Sequence, residues 1–188
     1  MMKRVIIVHR WSGSPAADWY PWLKSELEKK GFEVLVPEMP DPDHPRIDTW
    51  VPFLADVVGK PNKETYLVGH SVGCQTILRF LEKAKGEVGG CLFVGGWLPL
   101  KNLTADEKSV AKQWLETPIN FDRVRKTTKN FTAIFSDNDP YVPLENAELF
   151  KNNLGARTVI EKQLGHFTEE EGVTELPVAL NELLKLTK

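Results

Sequence analysis

Hydrophobic positions in this chain fall into short unbroken runs and longer stretches of helical period, and the two kinds alternate. Val5-Ile6-Ile7-Val8, Thr65-Tyr66-Leu67-Val68, Cys91-Leu92-Phe93-Val94 and Phe131 to Phe135 run with almost no polar interruption, the pattern of strands covered on both faces in a parallel sheet. Phe32 to Val36 and Arg157 to Glu161 complete a set of six. Trp19, Leu23 and Leu27 mark a first helix, with Asp18 as its expected N-cap and Gly31 as its stop. Trp50, Phe53, Leu54 and Val57 mark the next, capped by Asp48 or Thr49 so that Pro52 falls in the permissive first turn. Cys74, Ile77, Leu78 and Leu81 recur at i, i+3, i+4 and i+7, and Gly86 is placed to end that helix. Thr104-Ala105-Asp106-Glu107 is a capping box ahead of Val110, Ala111, Trp114 and Leu115, and Asn120 caps a shorter helix through Val124. Pro143 suits N1 of a helix carrying Leu144, Ala147 and Phe150 up to Gly155; Leu176, Leu180, Leu183 and Leu184 form the last stripe. Six strands alternating with helices predict an α/β protein, a three-layer α/β/α sandwich around a six-stranded, mainly parallel sheet.

Composition narrows the partners. The 188 residues, 41% hydrophobic and 10% aromatic, suffice for one good core and are most simply one domain over 1–188. A net charge of -2 with mixed signs gives neither a basic field for nucleic acid nor a polybasic anchor for a membrane, so a small-molecule partner is expected; no segment singles out a protein partner. Met1-Met2-Lys3-Arg4 runs straight into a strand without a signal-peptide core, which predicts a cytoplasmic protein. Cys74 and Cys91 sit in apolar segments and read as free buried thiols. Asp41, Asp43 and His44 are metal-capable residue types, but the prolines among them favour a solvated loop, so no metal and no cofactor is expected.

The chemistry-bearing residues cluster where strands end. Gly69-x-Ser71-x-Gly73 joins a strand to a helix through a turn too tight for ordinary backbone, which exposes the serine hydroxyl and lets strand and helix approach closely. By composition alone such a pattern arises in about 6% of chains this long; the strand before it and the helix after it make it a nucleophile elbow. The first strand leads into His9-Arg10-Trp11-Ser12-Gly13, where His9 is expected to orient the loop. The backbone N–H groups of Trp11 and Val72 are the candidate oxyanion-hole donors. His9, Arg10, His70, Trp97 and Tyr141 are the candidate pocket neighbours. An aspartate in 137–139 and His166 each follow a later strand, giving the order Ser, Asp, His that suits general-base activation of a serine. Residues 98–130 form an insert that either roofs the pocket or crosses over the sheet. Glu169, Glu170 and Glu171 read as solvated.

Over its whole length the sequence resembles the small single-domain serine hydrolases related to retinoblastoma-binding protein nine, a compact branch of the α/β-hydrolases. The likeness rests on Val8-His9 with its loop, Pro40-Asp41-Pro42, Gly69-His70-Ser71-Val72-Gly73, Asp139-Pro140-Tyr141-Val142-Pro143 and Gly165-His166-Phe167. Where many α/β-hydrolases have glycine after the first-loop histidine, this chain has Arg10. The resemblance implies a Ser71–Asp139–His166 triad that cleaves a small ester, thioester or amide through an acyl-enzyme, an ester first. The rival expectation is a protein-binding module on a hydrolase scaffold without activity, because a fold alone does not establish chemistry.

Overall fold

The computed structural model describes residues 2–188. Strands β1 (Arg4–Val8), β2 (Glu33–Leu35), β3 (Thr65–His70), β4 (Gly90–Val94), β5 (Phe131–Ser136) and β6 (Arg157–Glu161) form one sheet in the order β2-β1-β3-β4-β5-β6. Every neighbouring pair is parallel. Helices α1 (Tyr20–Glu28), α2 (Ile47–Val58), α3 (Val72–Lys83), α4 (Ala105–Glu116), α5 (Phe121–Thr127), α6 (Glu145–Leu154) and α7 (Pro177–Leu186) connect or follow the strands. Because side chains alternate across a strand, the sheet carries two cores. Val5, Ile7, Val68, Leu92 and Ile134 pack under α1 and α7, while Ile6, Val8, Leu67, Phe93 and Phe135 pack under α2, α3 and α6. The central strands β3, β4 and β5 are wholly buried and the edges β2 and β6 are not, which matches the unbroken apolar runs at the centre.

Chain direction across the sheet reverses between β1 and β3: the path from β1 goes outward to β2, and the path from β3 runs the other way through β4 to β6. Loops leaving the carboxyl ends of two such strands diverge to opposite faces and leave a crevice between them. The loop His9–Ser14 and the turn at Ser71 leave those two strands.

Several expected caps lie elsewhere. Asp18 does not cap α1; it has φ 54°, Trp19 takes the N-cap, and the Asp18 carboxylate is spent on Arg10 and on the Glu169 N–H. Helix α2 starts at Ile47 with Arg46 as N-cap, so Pro52 sits inside the helix, past the first turn, and Asp48 lies within that turn. Helix α3 ends at Lys83 with an extended Ala84, before Gly86. Pro143 precedes α6, whose N-cap is Leu144. The capping box at Thr104 and Glu107, the Asn120 cap and the left-handed Gly155 are present as read from the sequence.

Helix α3 is buried from Val72 to Leu81, polar residues included. Its Arg79 uses Nη2 to donate to the carbonyls of Trp114 and Thr117, each at 2.8 Å, which satisfies the C-terminus of α4 and complements its dipole. From the other side, Trp114 Nε1 donates to the Pro45 carbonyl at 2.9 Å and Ile47 N–H donates to Gln113 Oε1 at 3.0 Å. Helix α4 is therefore fastened to both α3 and the Pro40–Pro45 loop.

Candidate active site

At the end of β3 the chain turns so sharply that Ser71 adopts φ 54°, ψ −118°, a left-handed conformation that costs a non-glycine residue on the order of 1–3 kcal/mol. The glycines on either side are steric requirements. A Cβ on Gly73 would lie 2.3 Å from the Val8 carbonyl oxygen, and one on Gly69 would lie 2.8 Å from Cys74 N. Ser71 N–H is held by the Val94 carbonyl at 3.0 Å, and α3 begins at the next residue. The turn thus presents Oγ at the crevice, where Trp97 Nε1 donates to it at 3.4 Å.

Asp139 and His166 meet at the same rim. His166 Nδ1 donates to Asp139 Oδ2 at 2.7 Å, and the other carboxylate oxygen accepts the N–H groups of Tyr141 and Val142, both at 2.9 Å. Asp139 is therefore buried and held by its own turn as well as by the histidine. Asp137 is exposed and accepts the Gln163 N–H at 2.8 Å, a turn-shaping contact. His166 lies between Gly95, a glycine at φ 54°, and Tyr141, 5.5 Å away edge-on. Nε2 is the imidazole nitrogen that Asp139 leaves free, and both His166 and Ser71 line one cleft of about 510 Å³. No hydrogen bond joins Ser71 Oγ to His166 among the described residues. Such contacts are often long in ligand-free sites and tighten on binding.

The cleft lining combines apolar Trp97, Leu100, Leu103, Pro140 and Tyr141 with polar or charged Arg10, Ser12, Glu107, Thr168, Glu170 and Glu171. Leu100, Leu103 and Glu107 come from the segment entering α4 and from its first turn. Trp11 also lines the cleft, with its indole donating to the Asp43 carbonyl at 2.9 Å. Its backbone N–H has no acceptor among the described residues, and neither has that of Val72, the first residue of α3.

Two of the five expected pocket neighbours lie beneath the cleft instead of on it. His9 is completely buried: Met39 N–H donates to its Nε2 at 3.0 Å, and its Nδ1–H donates to the Arg10 carbonyl at 2.8 Å. His70 is buried too, with its Nδ1 accepting from the Tyr20 hydroxyl at 2.6 Å and its Nε2–H donating to the His166 carbonyl at 2.8 Å. Burial holds both below the usual histidine pKa, and for His70 the nearby His166 adds to the effect. Arg10, Trp97 and Tyr141 do line the cleft. Arg10 also clamps two loops, donating through Nε to Asp18 at 2.8 Å and through Nη2 to Glu170 at 3.1 Å.

The expectation that Glu169, Glu170 and Glu171 are merely solvated is corrected. They form a 3-10 turn at the protein surface, yet Glu170 pairs with Arg10, Glu169 meets Asp18 through both backbone and side chain, and Glu171 closes a capping box with Thr168. Thr168-x-x-Glu171 is a capping-box spacing, the signal by which the sequence could have revealed this turn. Asp41 and His44 pair with each other at 3.3 Å on the exposed loop.

A wholly parallel α/β sheet with a strained serine turn at its reversal point is the α/β-hydrolase architecture. The chain belongs to the serine hydrolase family, whose model matches residues 5–185. It is similar to YdeN of Bacillus subtilis (strain 168), 31% identical over 185 residues that cover 97% of this chain and 95% of the relative. It is also similar to the serine hydrolase RBBP9 of Rattus norvegicus, 26% identical over 90% of this chain and 89% of that one. The crystal structure of the ydeN product superposes with a TM-score of 0.90 at 29% identity, covering 98% of both chains. Est1E from Butyrivibrio proteoclasticus, solved with ferulic acid, shares the fold at a TM-score of 0.75 and 15% identity, over 98% of this chain and 89% of its own.

Proposed function

We propose that the protein is a serine hydrolase that cleaves a small ester, or else a thioester or amide, through a Ser71–His166–Asp139 triad. One observation carries the reading: the 2.7 Å pair of buried Asp139 with His166 opens on the cleft that Ser71 enters from a strained turn. In this mechanism Ser71 Oγ attacks the carbonyl carbon as its proton passes to His166 Nε2. Asp139 keeps the ring in the tautomer whose Nε2 is free, and it stabilises the imidazolium. Charge developing on the carbonyl oxygen is received by the N–H groups of Trp11 and Val72. The alcohol leaves with the proton held by His166, and water then repeats the sequence on the acyl-enzyme to release the acid and regenerate Ser71.

The cleft supports a substrate without a negative charge. Arg10 is the one Lys or Arg on its lining among the described residues, and Asp18 and Glu170 already occupy its guanidinium. An anionic acyl or leaving group would find no free cation there and would face Glu107, Glu170 and Glu171. Residues 1–188 are read as one domain in which 98–130 supplies part of the cleft wall, and the two buried free thiols suit the cytoplasm. The test is labelling by a fluorophosphonate together with hydrolysis of p-nitrophenyl acetate. Wild-type protein should do both and Ser71→Ala neither, with the same melting curve. A folded wild type that is neither labelled nor active would leave a binding scaffold as the better reading.

A further inference from the structure

The loop that carries His166 is held in an unusual way. Four consecutive backbone N–H groups, from Gln163 to His166, each donate to a side-chain oxygen: Asp137 Oδ1 at 2.8 Å, Ser136 Oγ at 3.0 Å, Asn138 Oδ1 at 2.8 Å and Glu171 Oε2 at 2.6 Å. The His166 carbonyl in turn accepts from His70 Nε2–H at 2.8 Å. Both polar groups of the His166 backbone therefore end on side chains, one from the turn after it and one from the serine turn itself. The loop does not keep this shape unaided, since Gln163 and Phe167 have φ of 56° and 59°, values that side-chain-bearing residues adopt only when their surroundings impose them.

Glu171 is the more telling of the two partners. Its carboxylate also accepts from the Thr168 hydroxyl at 3.0 Å, and it lies so close over Gly165 that a Cβ there would come within 1.9 Å of Oε1. Gly165, at φ 53°, has the backbone that favours glycine, and a side chain there would also push the Glu171 carboxylate out of its place.

We propose that Glu171 and His70 are positioning residues for His166, gripping its backbone N–H and C=O from opposite sides so that Nε2 stays aimed at Ser71. This rests on the assignment of His166 as general base. Asp139 fixes the ring about its own axis, but a hydrogen bond to Nδ1 alone leaves the backbone free to slide. The grip on the peptide groups removes that freedom. Glu171 belongs to the surface turn and His70 to the core, so the histidine loop is tied both to the turn that follows it and to the strand that carries the nucleophile.

Glu171 is exposed, so its variants should fold, and they carry the main test. Displacements of about 1 Å at a catalytic group can cost about 10²-fold, so Glu171→Ala should lower kcat on p-nitrophenyl acetate by about 10- to 100-fold while KM stays within about twofold. Glu171→Gln keeps an acceptor oxygen and should recover kcat to within about threefold of wild type. His70→Gln, which keeps a donor near the Nε2 position, should likewise outperform His70→Leu. The downfield proton resonance of the His166–Asp139 hydrogen bond gives a readout independent of turnover, and it should broaden or vanish in Glu171→Ala and persist in Glu171→Gln. Wild-type kcat in Glu171→Ala, a loss confined to KM, or a glutamine variant no better than alanine would each overturn the proposal. An inactive, unlabelled wild type would sink the hydrolase reading instead, and the resonance would still report whether Glu171 orders the ring.

Discussion

His70 and His166 have ring centroids 5.3 Å apart and share a hydrogen bond, yet they are suited to opposite tasks. His70 sits inside the serine motif, one residue from Ser71, but each of its nitrogens already has a protein partner and no solvent reaches it. His166 arrives from far along the chain, has one nitrogen engaged by Asp139, and keeps the other for the cleft. A histidine becomes a reagent when it has a free nitrogen beside an open space, and proximity in sequence to the nucleophile does not supply that. The same distinction separates Asp139, buried with every contact aimed at the histidine or its own turn, from exposed Asp137.

The contrast can be broken most severely at the ring itself. His166→Gln should lower kcat by about 10⁶-fold, because the serine then has no base and the leaving group no acid. A His166→Gln enzyme that kept most of its activity would move the general base elsewhere, with His70 the next residue to examine. For the carboxylates, Asp139→Asn should cost about 10⁴ in kcat by inverting the tautomer of His166. Asp137→Asn keeps the oxygen that accepts Gln163 N–H, so its kcat should stay close to wild type. The reverse ranking in steady-state assays would reassign the acid.

A smaller effect is expected at the backbone donors. Trp11→Pro deletes the N–H and should cost about 10²–10³ in kcat, whereas Trp11→Ala keeps it and should chiefly raise KM for bulky acyl groups, provided circular dichroism shows both folded. Equal kcat in the two folded variants would take Trp11 out of the oxyanion hole. The smallest signal lies in stability. The folded pKa of His70 is depressed by burial, so the unfolded chain takes up a proton below about pH 6.5 that native His70 refuses. Melting temperature should therefore fall as pH drops below about 6.5, and the slope should be shallower in His70→Gln. His9, depressed the same way, should retain its share of the slope in that variant.

The sheet, its six strands and their parallel sense were legible in the chain because the central strands are buried on both faces and therefore carry unbroken apolar runs. The placing of Ser71 and of an aspartate in 137–139 at strand ends followed from the same runs, whereas Asp139 was singled out by the family resemblance and His166 follows the partly exposed edge strand β6. Helix starts were less legible. Asp18 has the residue type of an N-cap, but a partner distant in sequence, Arg10, takes its carboxylate, and no local pattern discloses that competition. The three glutamates after His166 misled for a related reason: exposed acidic residues usually serve solvation, and here their partners lie on loops brought together only by the folded sheet. His9 and His70 were placed too near the surface because residue type and position show that a histidine is close to a site without showing which way its ring turns.

Arg79 carries one more implication. Its guanidinium is buried, caps the C-terminal end of α4 and lies over the Trp114 ring; no carboxylate among the described residues is within salt-bridge distance, so its charge is compensated by the α4 carbonyls, the indole and the more distant Glu82. Swinging α4 outward would strand a cation in the protein interior, a heavy penalty for any gating motion. Arg79 thus anchors the C-terminal end of α4, whereas the cleft-lining Leu100, Leu103 and Glu107 lie ahead of the helix and in its first turn. Enlarging the cleft therefore calls for trimming Leu100 or Leu103 rather than loosening the helix behind them.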